Sequence, residues 1–428
     1  MDQSTNTPAD KADAPAPSVK GITDAASRLS SVVINTPLST NSNLSEKYNA
    51  DISLKREDLQ AVRSFKIRGA YNKICKIPNS KRHNGVVCAS AGNHSQGVAF
   101  ACAALQIKGV IFMPASTPAQ KVKQTRSYGK GFVEVVLVGD TFDEAQAEAL
   151  SYQAESQAIM IHAFDDIDVM EGQGTVALEI LQASKRSIDY LFIPVGGGGL
   201  ASGVATYFKS QSPHTIIVGV EPEGAASMQA SFDAGKNIGL DTIDSFVDGA
   251  AVKRPGDLGY QVCRDKLDHL VAVPEGKACA TLLELYNEEG IVVEPAGALS
   301  IAALDFFAEE IRDKHVVCLI SGGNNDIDRT EEIKERALLY EGRKHYFVIN
   351  LAQRAGALKE FVVDVLGPED DIVFFEYSKK TNRTHGPAIV GIETPSDKNF
   401  LSLKAKIEKC GIKYEYLNNN DSLFRYIV

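Results

Sequence analysis

From Gly21 to about Leu339, short apolar β-branched runs alternate with helical patterns, the rhythm of a parallel sheet wrapped by helices. The runs predict strands at Gly85 to Ala89, Gly109 to Met113, Glu134 to Val138, Tyr190 to Val195, Thr215 to Val220 and His315 to Ile320. Little polarity interrupts them, as expected when both faces are covered. Three empty into small-residue loops: Ser90-Ala91-Gly92-Asn93, Gly196 to Gly199, and Ser321-Gly322-Gly323-Asn324. Open α/β sheets bind ligands beyond the carboxyl ends of their strands, where helix N-termini gather, so these loops nominate one crevice.

After a charged helical stretch, Asp328 to Arg343, the pattern changes. His345 to Leu351, Asp371 to Tyr377, Pro387 to Ile392 and Ser422 to Val428 read as strands, with helices at Ala355 to Leu366 and Ser396 to Cys410. That order, β-α-β-β-α-β, is the ferredoxin-like split βαβ and predicts a separate C-terminal module. Residues 1–20 are rich in Ala, Pro, Asp, Ser and Thr and read as a disordered tail, without the apolar segment of a secretory signal or the arginines of a transit peptide.

Composition narrows the function. With 45 basic and 55 acidic side chains the formal charge is −10, which gives no basic field for nucleic acid. The longest apolar stretch, Val98 to Leu105, is far short of the ~20 residues that span a membrane. Seven cysteines without a C-x-x-C pair read as reduced core residues of a cytoplasmic protein, and neither cysteines nor histidines have metal-ligand spacing, so no metal is expected.

Two segments carry candidate chemistry. Gly196-Gly197-Gly198-Gly199-Leu200 follows a strand and precedes a helix, so its N–H groups and the helix dipole can cradle a phosphate. The same run satisfies G-x-G-x-x-A through Gly196, Gly198 and Ala201, with Glu221 about where a dinucleotide ribose would be held; a NAD(P)-dependent oxidoreductase is the competing reading. In Ser64-Phe65-Lys66-Ile67-Arg68-Gly69-Ala70, Lys66 lies between two apolar residues with Arg63 and Arg68 close by. Desolvation and neighbouring positive charge should lower its pKa and expose an amine nucleophile.

Taken in order, Ser64 to Ala70, Ser90 to Gly97, Gly196 to Leu200 and Ser321 to Asn324 resemble the motifs of fold-type II pyridoxal-phosphate enzymes, and more closely the threonine dehydratases. The resemblance implies an α/β fold of two open-sheet subdomains (tryptophan synthase β-like), with residues 21–339 catalytic, a smaller subdomain at roughly 60–160, and an α+β ACT-like domain at 340–428. It implies that Lys66, next to Phe65, holds the aldehyde of pyridoxal 5'-phosphate. Gly196, Gly197, Gly198, Gly199 and Leu200 would bind its phosphate, Asn93 its ring hydroxyl, and Ser321 would face its pyridine nitrogen. A neutral serine there weakens the ring as an electron sink and favours prompt loss of a β-substituent.

Ser90, Ala91, Gly92, Asn93 and His94 would receive the substrate carboxylate, with His94 reading as a loop or core histidine rather than an acid–base group. Serine racemases carry a serine where this chain has Ala91, which points to elimination. Glu294-Pro295-Ala296-Gly297 resembles a segment lining the cofactor pocket, although Glu294 can equally cap the following helix. The expected reaction is L-threonine to 2-oxobutanoate and ammonia, with L-serine as a further substrate or other β-elimination as the alternative. The C-terminal Asn350 to Leu358 resembles the single ACT-like domain of biosynthetic threonine dehydratases, which implies inhibition by isoleucine, opposition by valine, and a homotetramer.

Overall fold

The computed structural model describes residues 15–377 and 384–419. The chain forms two compact units, dividing between Asp326 and Ile327. The first holds two sheets. The larger is built from β1 (Leu38–Thr40), β2 (Asp51–Arg56), β7 (Tyr190–Pro194), β8 (Ile216–Pro222), β9 (His269–Val273) and β10 (His315–Ile320). Their order is β1-β2-β10-β7-β8-β9, parallel except for β1 against β2. The smaller joins β3 (Val86–Ala89), β4 (Gly109–Met113), β5 (Val133–Leu137) and β6 (Ile159–Met160) as β5-β4-β3-β6, all parallel.

Every predicted strand of this unit is present within two residues of its expected ends. The strands at β1, β2, β6 and β9 were not foreseen. Helices cover the sheets, so β7 and β10 are buried along their length. The larger core packs Leu191, Ile193, Val317 and Leu319 against Val176, Val204 and Phe208 from the helices Ile167–Ala183 and Gly199–Gln211. The smaller packs Val86, Cys88, Ile111 and Met113 against Ile74, Val98 and Cys102. At ~1.5–3 kcal/mol for each large apolar side chain fully buried, these two cores supply the main stabilisation. Five cysteines are buried, but Cys410 is exposed and Cys75 only half-buried, so the core reading does not extend to those two.

The second unit carries β11 (Lys344–Ala352), β12 (Asp371–Tyr377), β13 (His385–Glu393) and β14 (Tyr414–Tyr416) in an antiparallel sheet ordered β12-β13-β11-β14. With the helices Ala357–Asp364 and Asp397–Lys409 this is the ferredoxin-like arrangement. The fourth strand is Tyr414–Tyr416, while the stretch expected in that role, Ser422 to Val428, lies outside the described residues. The helix Thr330–Tyr340 belongs to this unit, where Glu335 accepts a hydrogen bond from Tyr346 and pairs with Lys344. The unit therefore begins ahead of the boundary placed at Leu339.

The tail expected over residues 1–20 falls mostly outside the described residues, and a helix capped by Ser18 already begins at Val19. Among the described residues no helix is long and apolar enough to cross a membrane.

Candidate active site

Lys66 is the first residue of the helix Lys66–Cys75, which has no side-chain cap. The preceding turn is held instead by the loop after β10. The Phe65 amide donates to the Ser321 carbonyl at 3.1 Å, the Gly323 amide to the Arg63 carbonyl at 2.8 Å, and Ser64 bridges to Gly322. Arg63 takes φ +59° to make that turn. Two segments more than 250 residues apart thus meet at the candidate lysine.

Half-buried Lys66 donates from Nζ to the Ala163 carbonyl at 2.9 Å, with the Phe65 ring centroid 5.3 Å away. Burial pulls its pKa down to about 8, against the opposing pull of the Glu294 carboxylate. The expected help from neighbouring arginines is not what does this. Arg68 is fully buried, and its charge is answered by Glu57 (Nε–Oε2 and Nη2–Oε1, both 2.8 Å) and Glu179 (Nη1–Oε1 2.6 Å). Lys55 completes this network on Glu179 at 2.6 Å.

The helix Asn93–Leu105 rests directly on this lysine: a Cβ on Gly97 would lie 2.9 Å from the Lys66 carbonyl oxygen. Ser90, Ala91 and Gly92 are half-buried, and a Cβ on Gly92 would meet no atom within 4 Å, so its approach side is open. His94 is buried, with Nε2 2.8 Å from the Ile161 carbonyl and Nδ1 unpartnered. Burial and the Lys66 charge push its pKa down to about 3, so the ring is neutral.

The glycine run reaches the same place through the segment after β6. Gly198 takes φ +90° as the N-cap of the helix Gly199–Gln211, a conformation that requires glycine. Gly197 lies so close to the Phe164 ring that a Cβ would approach it within 2.3 Å, and Phe164 follows the Ala163 carbonyl that holds Lys66. The Asp165 carboxylate accepts from the amides of Asp257, Leu258 and Gly259, and the Gly256 amide donates to the Gly197 carbonyl at 3.1 Å, which fixes the outer side of the run. Leu200 and Ser321 are buried beside these turns.

The helices that begin after Gly92 and Gly198 have no side-chain cap; the Lys66 and Pro295 helices of the site share this, as do several outside it. First-turn N–H groups have no intrahelical acceptor, so the ends at Gly92 and Gly198 suit two anions. Glu221, the residue a dinucleotide ribose would need, is fully buried and accepts from the Met228 and Gln229 amides at 2.8 Å each. Its carboxylate is spent on a helix start, which removes the dinucleotide reading.

Ala163 escaped the sequence reading, Asn324 entered it only as the end of a loop, and Glu294 only as a pocket-lining or capping residue. Glu294 stands at the N-cap position of the helix Pro295–Ala302 but makes no cap bond; its Oε1 accepts from Asn93 Nδ2 at 2.7 Å. Burial and the Asp248 charge raise it to about 7, against Asn93, Lys121 and Lys66. Of the two readings the sequence left open for Glu294, the capping one fails, since the carboxylate makes no cap bond.

Comparison with known proteins is consistent across the chain. The family described as pyridoxal-phosphate dependent enzyme matches residues 29–322, and the C-terminal regulatory domain of threonine dehydratase matches 335–427. The chain is 54% identical over 400 residues to the biosynthetic L-threonine dehydratase IlvA of Halalkalibacterium halodurans, covering 94% of this chain and 96% of that protein. The corresponding protein of Bacillus subtilis is 52% identical over 410 residues, covering 96% and 97%. Among solved structures, the processed form of threonine deaminase isoform 2 from Solanum lycopersicum superposes with TM-score 0.72 at 38% identity, covering 76% of this chain and 91% of that one. Maize serine racemase superposes with TM-score 0.70 at 30% identity, covering 77% and 100%.

Proposed function

The chain belongs to the pyridoxal-phosphate-dependent threonine dehydratases, and from that membership we propose that it deaminates L-threonine to 2-oxobutanoate and ammonia under control of its C-terminal domain. The residues present fit the cofactor. Gly196 to Leu200 end at an uncapped helix whose amides suit its phosphate, Lys66 offers a desolvated amine, and buried Ser64 Oγ and Asn324 Oδ1 have no partner among the described residues. In this reading Lys66 holds the aldehyde, Phe65 packs beside it, Asn93 donates to the ring hydroxyl and Ser321 meets the ring nitrogen. Pyridoxal phosphate supplies the electron sink that makes the substrate Cα–H acidic.

The protein's own groups do the rest. The Ser90 amide is engaged by the Phe112 carbonyl at 3.0 Å and the Gly92 amide by Ser90 Oγ at 3.2 Å. Within Ser90 to His94 it is therefore Ala91, Asn93 and His94 that offer backbone N–H groups to the substrate carboxylate at the Gly92-capped helix start. Lys66 Nζ takes the Cα proton. With a pKa of about 8, roughly a quarter of it is uncharged at pH 7.5, against roughly a thousandth for an ordinary lysine. The observation that carries the reading is this amine set between two uncapped helix N-termini. Purified protein incubated with cofactor and threonine is expected to release 2-oxobutanoate, and Lys66→Ala to lose at least ~100-fold in rate. Wild-type protein that releases no ketoacid refutes the proposal.

The unit that ends at Asp326 serves as the catalytic domain and the one that begins at Ile327 as the regulatory one. Gly356, at φ +87° between β11 and the helix Ala357–Asp364, lets the backbone approach an amino-acid ligand, and isoleucine binding there favours a less active state. Turnover that isoleucine leaves unchanged refutes the regulatory part alone. A homotetramer in the cytoplasm completes the reading.

A further inference from the structure

We propose that Glu294 and Asn324 are positioning residues that lock the Asn93 side-chain amide in one orientation before any ligand arrives. The inference rests on the reading that Asn93 donates to the cofactor. An asparagine amide has two N–H donors and one acceptor oxygen, and unrestrained it can turn over. Here one Nδ2 hydrogen goes to Glu294 Oε1 at 2.7 Å, and Oδ1 accepts from Asn324 Nδ2 at 2.6 Å. Turning the amide over would set nitrogen against nitrogen at Asn324 and, wherever Glu294 is ionised, oxygen against its carboxylate. One Asn93 N–H therefore remains for the cofactor.

The two partners are themselves fixed. Asn324 Nδ2 also donates to the Val62 carbonyl at 2.9 Å. The Glu294 amide donates to the Gly322 carbonyl at 3.2 Å, and its carboxylate is walled in by Gly322 and Gly249, where Cβ atoms would lie 2.6 and 3.2 Å from Oε1. This carboxylate does not cap its own helix, and the buried oxygen is answered instead by the Asn93 amide. It reaches Asn93 across 201 residues of sequence.

The test is the affinity of the cofactor-free full chain for pyridoxal phosphate, by equilibrium dialysis, with thermal melting as a folding control. Glu294→Ala is expected to weaken affinity ~10-fold or more, whereas Glu294→Gln, which keeps an acceptor oxygen for Asn93, restores it to within ~3-fold of wild type. In an Asn93→Ala background, Glu294→Ala should have no further effect, because its influence runs through that amide. Asn324→Asp, which replaces the donor facing Asn93 Oδ1 by an acceptor, supplies a second arm if Glu294→Ala does not fold, and should weaken affinity as well.

Wild-type affinity in both Glu294→Ala and Asn324→Asp overturns the inference, as does a Glu294→Ala effect that persists undiminished without Asn93. Borohydride labelling of Lys66 in the wild type separates the two levels. A labelled Lys66 with unaffected variants sinks only the positioning role, while an unlabelled Lys66 sinks the functional reading beneath it.

Discussion

Arg68→Met should reverse the pH dependence of this protein's stability at one buried site. The network behind the catalytic helix holds two cations, Lys55 and Arg68, and two carboxylates, Glu57 and Glu179, so its net charge is 2 − 2 = 0. Burial alone would lift the Glu57 pKa. The Arg68 charge and hydrogen bonds, with help from Lys55 and Thr36, outweigh it and hold the carboxyl below its ordinary value of 4.5. In the wild type Glu57 therefore contributes stability that is present above that value and lost as pH falls through the lower folded one.

Methionine fills similar volume but leaves 1 − 2 = −1 in the network. Lys55 stays engaged with Glu179, and Glu57 keeps only Thr36 and Gln60 as neutral donors. Burial then wins, and Glu57 binds a proton in the folded state above its ordinary value. Its contribution becomes one that is present at low pH and lost as pH rises. Stranding a buried charge costs about 3–5 kcal/mol. Urea denaturation at pH 8 should show a deficit of that size against wild type, and at pH 5 a deficit smaller by ~1 kcal/mol or more. Equal deficits at the two pH values would refute the reasoning, as would a loss under ~1 kcal/mol at pH 8.

Lys66 in the cofactor-free chain should react with acetic anhydride with a midpoint of about 8 rather than 10.5, as read by peptide mass spectrometry. Because its folded pKa lies below the unfolded one, its own contribution to stability rises as pH climbs from about 8 to 10.5. Gly97→Ala sets a Cβ 2.9 Å from the Lys66 carbonyl oxygen, so the helix that carries Asn93 must back away; ~1–3 kcal/mol of stability and ~10-fold in kcat should go, measured by denaturation and ketoacid assay. Gly356→Val forces a β-branched residue to φ +87° and should raise the isoleucine concentration needed for half-inhibition.

The strands that were legible are those whose whole length is apolar, such as His315–Ile320, because burial on both faces leaves no polar position to hide the pattern. β2 was not, since Asp51-Ile-Ser-Leu-Lys-Arg56 reads as a polar alternation; Lys55 is buried there only because Glu179, 124 residues away, answers its charge. β9 is a partly exposed edge strand and β6 spans two residues, too short for a period to register.

In the site, Lys66 and the three small-residue loops were visible because glycines and an isolated lysine between apolar residues leave local marks. Ala163 acts through a carbonyl, which no side chain advertises. Glu294 and Asn324 act through partners 201 and 231 residues distant, so their roles exist only once the chain has folded.

The most direct measurement is to reduce the cofactor-loaded protein with borohydride, digest it and sequence the tagged peptide. The label is expected on Lys66, within Ser64-Phe65-Lys66-Ile67-Arg68. A label on another lysine, or none on protein that still turns over threonine, would contradict the central claim.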